Sequence, residues 1–469
     1  MTKVNFFVLV FLSIISSTLA QDVVLKGNAL EYAGETLSFF TYSDWITNTE
    51  AKLTECKVDE QGNFLCSFST NETLYVYVKL GVYEAYIFIE PEKEYEIILP
   101  ERKEKTRADL LNPYFTPILY HLGFEKTSKE ELNYQLAYFD EIYKMMFEKT
   151  SYAIYNKDPR LDVDLEISSV DTLFKNVRIK YFRDFKKYQF ASYRHFAYQQ
   201  KSKSISNTYY LNNEILYENP AYMKLFNQVY KDYFQYFGRT KSGQKIFKDI
   251  AKYKSITLLK ETLGQDSILT NEALKELVIL KCLHDEFYND VFSRSAMLTV
   301  LDSLALQTSF AKHKRIAENI RKKVTKLMVG FYPPEFKLYD KDNNLITLNS
   351  FKGEYVYLGF CTTASYACIK EFEMLRNFYK HHKNHFKIVF ICLDESLEQM
   401  KKFVEKKNYP FTFLHYGNQS KVFQDYDIRT YPTYYFIDKE GKLKLSPAPS
   451  IDQKLEFAIY KILKANGDI

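Results

Sequence analysis

The fold of the C-terminal region is decided by the stretch Tyr355-Val-Tyr-Leu-Gly-Phe-Cys-Thr-Thr-Ala-Ser-Tyr-Ala-Cys-Ile-Lys-Glu371. Residues 355–361 are apolar and aromatic over the length of a β-strand, and small polar residues follow them. From Ser365 onward, apolar residues recur at helical spacing. Where a strand leads directly into a helix, free backbone amides converge and create a positive field that favours a thiolate. The spacing predicts that Cys368 lies in this first helical turn.

Strand and helix patterns continue to alternate after this stretch. A strand is predicted over 386–393, and a helix capped by Ser396 follows it. A short strand near 411–415, a strand over 433–438 and a final helix over 451–464 complete the pattern. Such alternation is typical of an α/β unit with helices on both faces of a central sheet.

The segment Phe360-Cys-Thr-Thr-Ala-Ser-Tyr-Ala-Cys-Ile-Lys-Glu371 resembles the active-site motif Phe-Trp-Ala-x-Trp-Cys-x-x-Cys-x-x-Glu of the TlpA-type bacterial thioredoxin-like thiol–disulfide reductases. Three further segments match that family at the expected distances, and the last of them carries the fold's cis-proline: Gly330–Phe336, Phe351–Gly353 and Thr430–Asp438. The resemblance covers about residues 329 to 469 and implies a thioredoxin-like domain there.

The sequence departs from the family pattern at the residue that matters most for catalysis. Ser365 stands where the family has its attacking cysteine, which leaves Cys368 as the remaining thiol of the motif. Thiol–disulfide exchange needs a thiolate to attack and a second thiol to release the mixed disulfide, and a hydroxyl does neither. The resemblance therefore implies lost or weakened redox activity with a retained groove for a protein or peptide partner. The residues expected to line that groove are Tyr366, Ala367, Tyr431 and Pro432.

Two alternatives remain open for the function. An active thiol–disulfide oxidoreductase could use Cys368 together with Cys361 or with another thiol such as Cys392, provided that the Cα atoms lie within about 7 Å. A structural or assembly protein could instead work through residues 21–328. Peroxidase chemistry is disfavoured, because Pro432 holds the place of the arginine that the peroxiredoxin motif requires.

The N-terminus has the pattern of a cleaved secretory signal over residues 1–20. Lys3 supplies the positive start, residues 6–15 supply the apolar centre, and a small-residue cleavage site precedes Gln21. No later segment is long and apolar enough to span a bilayer. We therefore expect an exported, periplasmic protein without a membrane span after cleavage.

Two patterns precede the C-terminal domain. Residues 21–103 contain several short apolar runs separated by turns, which predicts an antiparallel β-sandwich. In this region a hairpin is predicted to turn at 59–62, where Cys56 and Cys66 could face each other and form a disulfide. Residues 104–328 have helical spacing and predict a helical domain, so that the thioredoxin-like domain spans 329–469.

The composition is that of a folded multidomain α+β protein. The residues are 46% hydrophobic and 26% charged, as in a folded protein. A chain of 469 residues is too long for a single core, so more than one domain is expected. A net charge of +5 without a basic block gives no support for nucleic-acid binding. His381, His382 and His385 form the only histidine cluster, but they fall at a helix C-terminus where positive groups are favoured by the dipole. We expect neither a metal nor a cofactor.

Overall fold

The computed structural model describes residues 21–469 apart from residues 113, 126–127, 159–160 and 290. The predicted signal peptide lies outside the described residues. Within the described part of the chain, no helix is both long and apolar enough to cross a membrane.

The chain begins with a block of strands, continues with a block of helices and ends with a block in which strands and helices alternate. The strands are β1 (Gln21–Asn28), β2 (Thr36–Asp44), β3 (Thr49–Lys57), β4 (Asn63–Thr70), β5 (Leu74–Leu80), β6 (Tyr83–Ile89), β7 (Glu94–Ile98), β8 (Ile118–His121), β9 (Gly123–Phe124), β10 (Lys337–Asp340), β11 (Leu345–Thr347), β12 (Val356–Cys361), β13 (Lys387–Cys392), β14 (Thr412–His415), β15 (Thr433–Ile437) and β16 (Leu443–Ala448). The helices are α1 (Arg107–Leu111), α2 (Leu132–Tyr155), α3 (Val163–Leu173), α4 (Lys180–Phe196), α5 (Ser202–Ile205), α6 (Pro220–Val229), α7 (Tyr233–Gly238), α8 (Ile246–Ala251), α9 (Ile256–Leu263), α10 (Glu272–Glu286), α11 (Arg294–Gln307), α12 (Ala311–Thr325), α13 (Tyr366–His382), α14 (Leu397–Lys407), α15 (Lys421–Asp425) and α16 (Leu455–Ala465).

The chain folds into two compact units that are each built from separate pieces of sequence. The first unit contains the chain up to Glu104 together with Pro117–Gln244 and Lys260–Cys282. The second contains Lys105–Thr116, Lys245–Leu259 and Leu283–Ile469. The helical stretch that the sequence predicts as one domain is therefore shared between the two units.

The first unit contains two sheets that enclose one core. Their strand orders are β4-β1-β7-β9 and β3-β2-β5-β6-β8. Side chains from both sheets, such as Leu25 of β1 and Val76 of β5, belong to the same buried cluster. The prediction that all strands are antiparallel is wrong, because β7 runs parallel to β1 and β8 runs parallel to β6. The reason is that β7 follows β6 in the chain but crosses to the other sheet.

The predicted hairpin around residues 59–62 is also wrong, because the turn joins two different sheets. β3 pairs with β2, whereas β4 pairs with β1. Cys56 of β3 and Cys66 of β4 form a disulfide with their Cα atoms 5.3 Å apart, which lies within the usual range. This disulfide links the two sheets of the unit.

Two short helices of the first unit, α6 and α7, follow each other closely along the chain. Asn219 caps α6, since its side chain accepts hydrogen bonds from the backbone amides of Ala221 and Tyr222 at 3.1 and 3.2 Å. Buried aromatic residues continue to Phe237, but the helix is interrupted after Val229. Asp232, between them, adopts a left-handed conformation with φ 53°, and this reverses the chain locally.

The second unit is organised around a seven-stranded sheet in the order β11-β10-β14-β13-β12-β15-β16. β12 lies inside this sheet, parallel to β13 and antiparallel to β15. Apolar side chains of α13, α14 and α16 share one core with this sheet, represented by Phe372, Met400 and Ile459. Phe423 of α15 belongs to a second core, together with Leu358 of β12. The central sheet is therefore packed on both faces, as the sequence predicts.

Gly359 allows β12 to fit between its two neighbours. A Cβ atom at this position would meet ring carbons of Phe390 at 2.5 Å and of Tyr434 at 3.0 Å. Residue 359 therefore has to lack a side chain for β13 and β15 to pack their aromatic rings against β12.

We expect Gly359→Ala to lower the free energy of unfolding by about 1–3 kcal/mol, because the added methyl group overpacks a buried strand. Urea unfolding followed by circular dichroism measures this change. Gly123→Ala is the control, since the Cβ atom there meets only Ile98, at 3.7 Å, and its expected effect is within about 0.5 kcal/mol. Equal effects of the two substitutions would contradict the packing argument.

Candidate functional site at the start of helix α13

The loop between β12 and α13 is fixed by a buried carboxylate on the neighbouring strand. Asp394 follows β13, and its Oδ1 atom accepts hydrogen bonds from the backbone amide of Thr363 at 3.0 Å and from the Thr363 hydroxyl. The hydroxyl of Thr362 donates to the same oxygen at 3.3 Å. Asp394 is 1% exposed, and among the described residues no donor reaches its Oδ2 atom. The loop therefore lies beside a buried negative group.

Ser365 ends this loop and is the N-cap of α13. Its hydroxyl accepts a hydrogen bond from the backbone amide of Cys368 at 3.5 Å, and its carbonyl accepts one from Ile369 at 3.0 Å. Serine is a favoured N-cap residue because its oxygen satisfies an amide that the helix leaves unpaired. The structure thus places Ser365 at the corner that the sequence predicts, in a helix-capping role.

Cys368 lies in the first turn of α13 with its side chain fully buried. Burial raises the pKa of the Cys368 thiol, and the nearby charges of Cys392 and Asp394 raise it further. Hydrogen bonds from the Thr362 backbone and the Ser365 side chain act in the opposite direction but do not outweigh burial. The thiol is therefore held protonated and away from solvent, which is the reverse of what an attacking cysteine needs.

Cys361 lies next to Cys392. The two residues are direct partners in the β12–β13 ladder, and their sulfur atoms are 3.3 Å apart. Both side chains are fully buried, and burial raises the pKa of both thiols. Among the described residues, no hydrogen bond or disulfide joins Cys361 to Cys368. A Cys361–Cys368 couple thus remains a prediction, whereas the neighbouring pair in the structure is Cys361 and Cys392.

Glu371 is a buried acid that the sequence analysis did not single out as a site residue. It is 7% exposed, and its Oε2 atom accepts hydrogen bonds from the Tyr434 hydroxyl at 3.2 Å and from the Ile451 amide at 3.5 Å. Burial raises the pKa of Glu371 despite these hydrogen bonds. Two signals in the sequence could have found it: its match to the glutamate that ends the family motif, and its place three residues after Cys368 on the same face of the helix.

The predicted groove residues differ in how far they reach solvent. Tyr366, at the first helical position, is 82% exposed, and Ala367 is also exposed. Tyr431 is partly buried, and its peptide bond to Pro432 is cis. Burial raises the pKa of Tyr431 to about 12, and its ring packs against the core cluster that contains Cys368. The first turn of α13 is therefore open to solvent at Tyr366 and Ala367.

A segment distant in sequence packs against the same edge of the sheet. In residues 105–116, Arg107 forms an ion pair with Glu395 and donates a hydrogen bond to the carbonyl of Leu393 at 3.0 Å. The guanidinium of Arg429, two residues before Tyr431, lies 6.0 Å from the ring centre of Tyr114. This segment therefore contacts the two neighbours of Asp394, which are Leu393 and Glu395, and also contacts Arg429 in the loop that leads to Pro432. No feature of the local sequence pattern predicts this.

The histidine cluster is engaged in packing. His382 stacks on Phe378 with ring centres 4.3 Å apart and lies 3.4 Å from a carboxylate oxygen of Glu456. Among the residues that the structure describes, no group of three or more His, Cys, Asp or Glu side chains is arranged to hold a metal ion.

Comparison with known proteins identifies the C-terminal region. Residues 329–446 match the AhpC/TSA family. The thiol-disulfide oxidoreductase ResA of Bacillus subtilis (strain 168) is 32% identical over 115 residues, which are 24% of this chain and 64% of ResA. ResA of Geobacillus thermodenitrificans (strain NG80-2) is 28% identical over 121 residues, which are 26% of this chain and 69% of that protein.

The C-terminal region is an AhpC/TSA-type thioredoxin-like domain, and its similarity to these oxidoreductases supports the TlpA-type family expected from the sequence. Solved structures similar to this thioredoxin-like domain include the thioredoxin domain of a thiol-disulfide oxidoreductase from Bacteroides vulgatus. That structure is 26% identical, with 29% of this chain and 97% of that chain covered and a TM-score of 0.27. A thiol:disulfide interchange protein from Bacteroides sp. is also 26% identical, with 30% and 90% covered and a TM-score of 0.26.

We expect Glu371→Gln to stabilise the chain more at about pH 8 than at about pH 4. Because the folded state raises the pKa of Glu371 above its usual value of 4.5, stability is lost as the pH rises through the raised pKa, and glutamine removes this loss. Thermal unfolding of both proteins at the two pH values measures the difference.

Glu373→Gln on the same helix is the matched control. A hydrogen bond from the Tyr409 hydroxyl lowers the pKa of the partly buried Glu373, so this carboxylate stabilises the fold above its usual pKa. The control is expected to lose stability at about pH 8. The same sign in both variants would contradict the assignment of Glu371 as a buried, proton-holding acid.

Proposed function

We propose that the thioredoxin-like domain binds an extended segment of a protein partner beside the start of α13 and does not turn over disulfides efficiently. One observation supports this proposal above the others. The position of the attacking cysteine is occupied by Ser365, whose hydroxyl caps the helix, while Cys368 is fully buried behind it.

The electrostatics of the site support weak redox chemistry at Cys368. Disulfide exchange proceeds through a thiolate, whereas burial and the Asp394 carboxylate both favour the protonated thiol. If Cys368 formed a mixed disulfide, a second thiol would be needed to release it, and position 365 carries a hydroxyl in place of that thiol. Exchange at this site is therefore expected to be slow and to stop at the mixed disulfide.

The exposed residues support binding of an extended chain. Tyr366 offers a large, rigid ring at the helix start, and aromatic side chains of this kind contribute strongly to protein interfaces. Tyr431, which precedes Pro432, packs against the core cluster that contains Cys368. Backbone groups beside a loop of this kind can pair with an extended peptide, while side chains on alternate sides give specificity.

The cellular setting is part of the proposal. The leader pattern over residues 1–20 and the relation to thiol-disulfide oxidoreductases favour an exported, periplasmic protein. The partner we propose is a protein or peptide that binds the groove there, and this binding needs no cofactor. An active oxidoreductase that uses Cys368 with another thiol is the alternative, since Cys368 retains its place in the first turn of α13. A structural role through residues 21–328 is the other alternative.

We expect Ser365→Cys to gain insulin-disulfide reduction with dithiothreitol as the electron donor, because it restores the attacking thiol in the positive field of the helix N-terminus. The native chain is expected to remain at the background rate. Turbidity of the precipitating insulin B chain measures the reaction.

Ser365→Ala separates the two roles of the serine. It removes the cap and is expected to lower the free energy of unfolding by about 1 kcal/mol without gaining reductase activity. Ser365→Cys/Cys368→Ala is expected to trap the mixed disulfide. Reduction of insulin by the native chain, abolished by Cys368→Ala, would overturn the proposal in favour of the active-enzyme alternative.

Binding is tested with reduced, carboxamidomethylated insulin B chain, an extended polypeptide that cannot exchange disulfides. Calorimetric titration of the full chain is expected to show binding that Tyr366→Ala weakens by about tenfold or more, the effect of losing one hot-spot aromatic residue. Tyr332→Ala is the control, because Tyr332 is 65% exposed elsewhere in the same domain. Equal binding by both variants would contradict the assignment of the groove.

A further inference from the structure

We propose that Cys361 and Cys392 form a second redox site, a buried dithiol that closes to a disulfide by exchange with low-molecular-weight disulfides of the glutathione type. This site is separate from the groove and from Ser365, and it does not depend on the proposed binding function. The family motif aligns neither cysteine with a catalytic residue.

The backbone already places the two cysteines at the right distance. Neighbouring strands lie about 4.7–4.9 Å apart, and a disulfide needs Cα atoms about 4.4–6.8 Å apart. Cys361 and Cys392 are direct partners at the ends of β12 and β13. Most of the geometric requirement is thus met by the ladder itself.

The side chains need only a small movement to form the bond. The sulfur atoms are 3.3 Å apart, and a disulfide bond is about 2.05 Å long. Closing the remaining gap of about 1.3 Å requires modest rotation of the two side chains. The neighbouring backbone is held by hydrogen bonds from Leu393 to the Cys361 carbonyl and from Tyr416 to the Cys392 carbonyl, both 3.0 Å long, so the strand ends do not have to move apart.

The other described cysteines do not offer this arrangement. Cys56 and Cys66 are already joined in the first unit. Cys282 is buried in α10 of the first unit, and its thiol donates to the Tyr230 carbonyl at 3.9 Å. Cys368 belongs to the same core as Cys361 and Cys392, but no described contact joins its sulfur to theirs.

The reaction balances as two successive exchanges. The thiolate of one cysteine attacks a sulfur of glutathione disulfide, whose bond breaks and releases one glutathione thiolate, which takes up a proton. The second cysteine then attacks the mixed disulfide and releases the second glutathione. Two cysteine thiols are oxidised to one disulfide, and one glutathione disulfide is reduced to two glutathione molecules.

Burial determines the kinetics of this site. Both thiols are fully buried and burial raises their pKa, so the thiolate fraction is small and the reagent reaches it only when the strand ends open locally. We therefore expect slow exchange that reaches a defined equilibrium. The fraction of the pair that is oxidised therefore follows slow changes in the ratio of glutathione disulfide to glutathione and not brief ones.

The test uses the full native chain equilibrated for a day in buffers of increasing glutathione disulfide to glutathione ratio. After acid quenching, free thiols are alkylated in denaturant, and proteolytic peptides are analysed by mass spectrometry. A cross-link between the Cys361 and Cys392 peptides, with the loss of two hydrogen atoms, is expected to increase with the ratio. Four alkylated thiols at every ratio, or a cross-link that involves Cys368, would overturn the proposal.

Variants assign the pair and its effect on the fold. Cys368→Ala and Cys282→Ala are expected to keep the cross-link, whereas Cys392→Ala is expected to abolish it and leave Cys361 alkylated. In the native chain, the oxidised form is expected to unfold at a higher urea concentration than the reduced form, because the bond constrains the unfolded chain. This last comparison needs no substitution, so a variant that does not fold leaves the proposal testable.

Discussion

The hydrogen bond from the Cys368 amide to the Ser365 hydroxyl is the interaction on which the character of this domain depends. In a two-cysteine site, the residue at this corner has to be exposed, ionised and weakly engaged, since it attacks the substrate. Serine instead uses its oxygen to satisfy the helix, which favours the structure of the corner over its chemistry. The strand, the loop and the helix therefore place a capping hydroxyl at the corner where the family resemblance leads us to expect the attacking sulfur.

The surroundings of the corner also favour neutral sulfur. Asp394 holds the loop through Thr362 and Thr363 and places a carboxylate near all three thiols of the domain. Its structural role and its electrostatic role are therefore coupled, because the hydrogen bonds that order the loop keep negative charge in the core. Glu371 lies one helical turn further on and is itself held towards its protonated form by burial. A site with this charge pattern suits packing and recognition better than thiolate chemistry.

The sequence predicts those features that are encoded locally. The strand over residues 355–361 and the helix from Ser365 onward were recognisable from short-range patterns, and in the structure each begins one residue later, at Val356 and Tyr366. The hairpin at residues 59–62 was wrong because a turn signal does not specify which sheet each flanking strand joins. The contact between Cys361 and Cys392 depends on the register of two strands that are distant in sequence. Pattern alone shows that both cysteines end strands and cannot show that those ends are adjacent.

Residues 105–116 show that the compact unit around the thioredoxin-like domain extends beyond residues 329–469. They belong to the same compact unit as the thioredoxin-like domain, with Arg107 bonded to the Leu393 carbonyl beside the site loop. A gene fusion that carried only residues 329–469 into another protein would leave this arginine behind and expose the carbonyl and Glu395 to water. In this chain the edge of the thioredoxin-like domain is therefore completed by a stretch encoded more than two hundred residues upstream, and a fragment that begins at residue 329 would lack that contact.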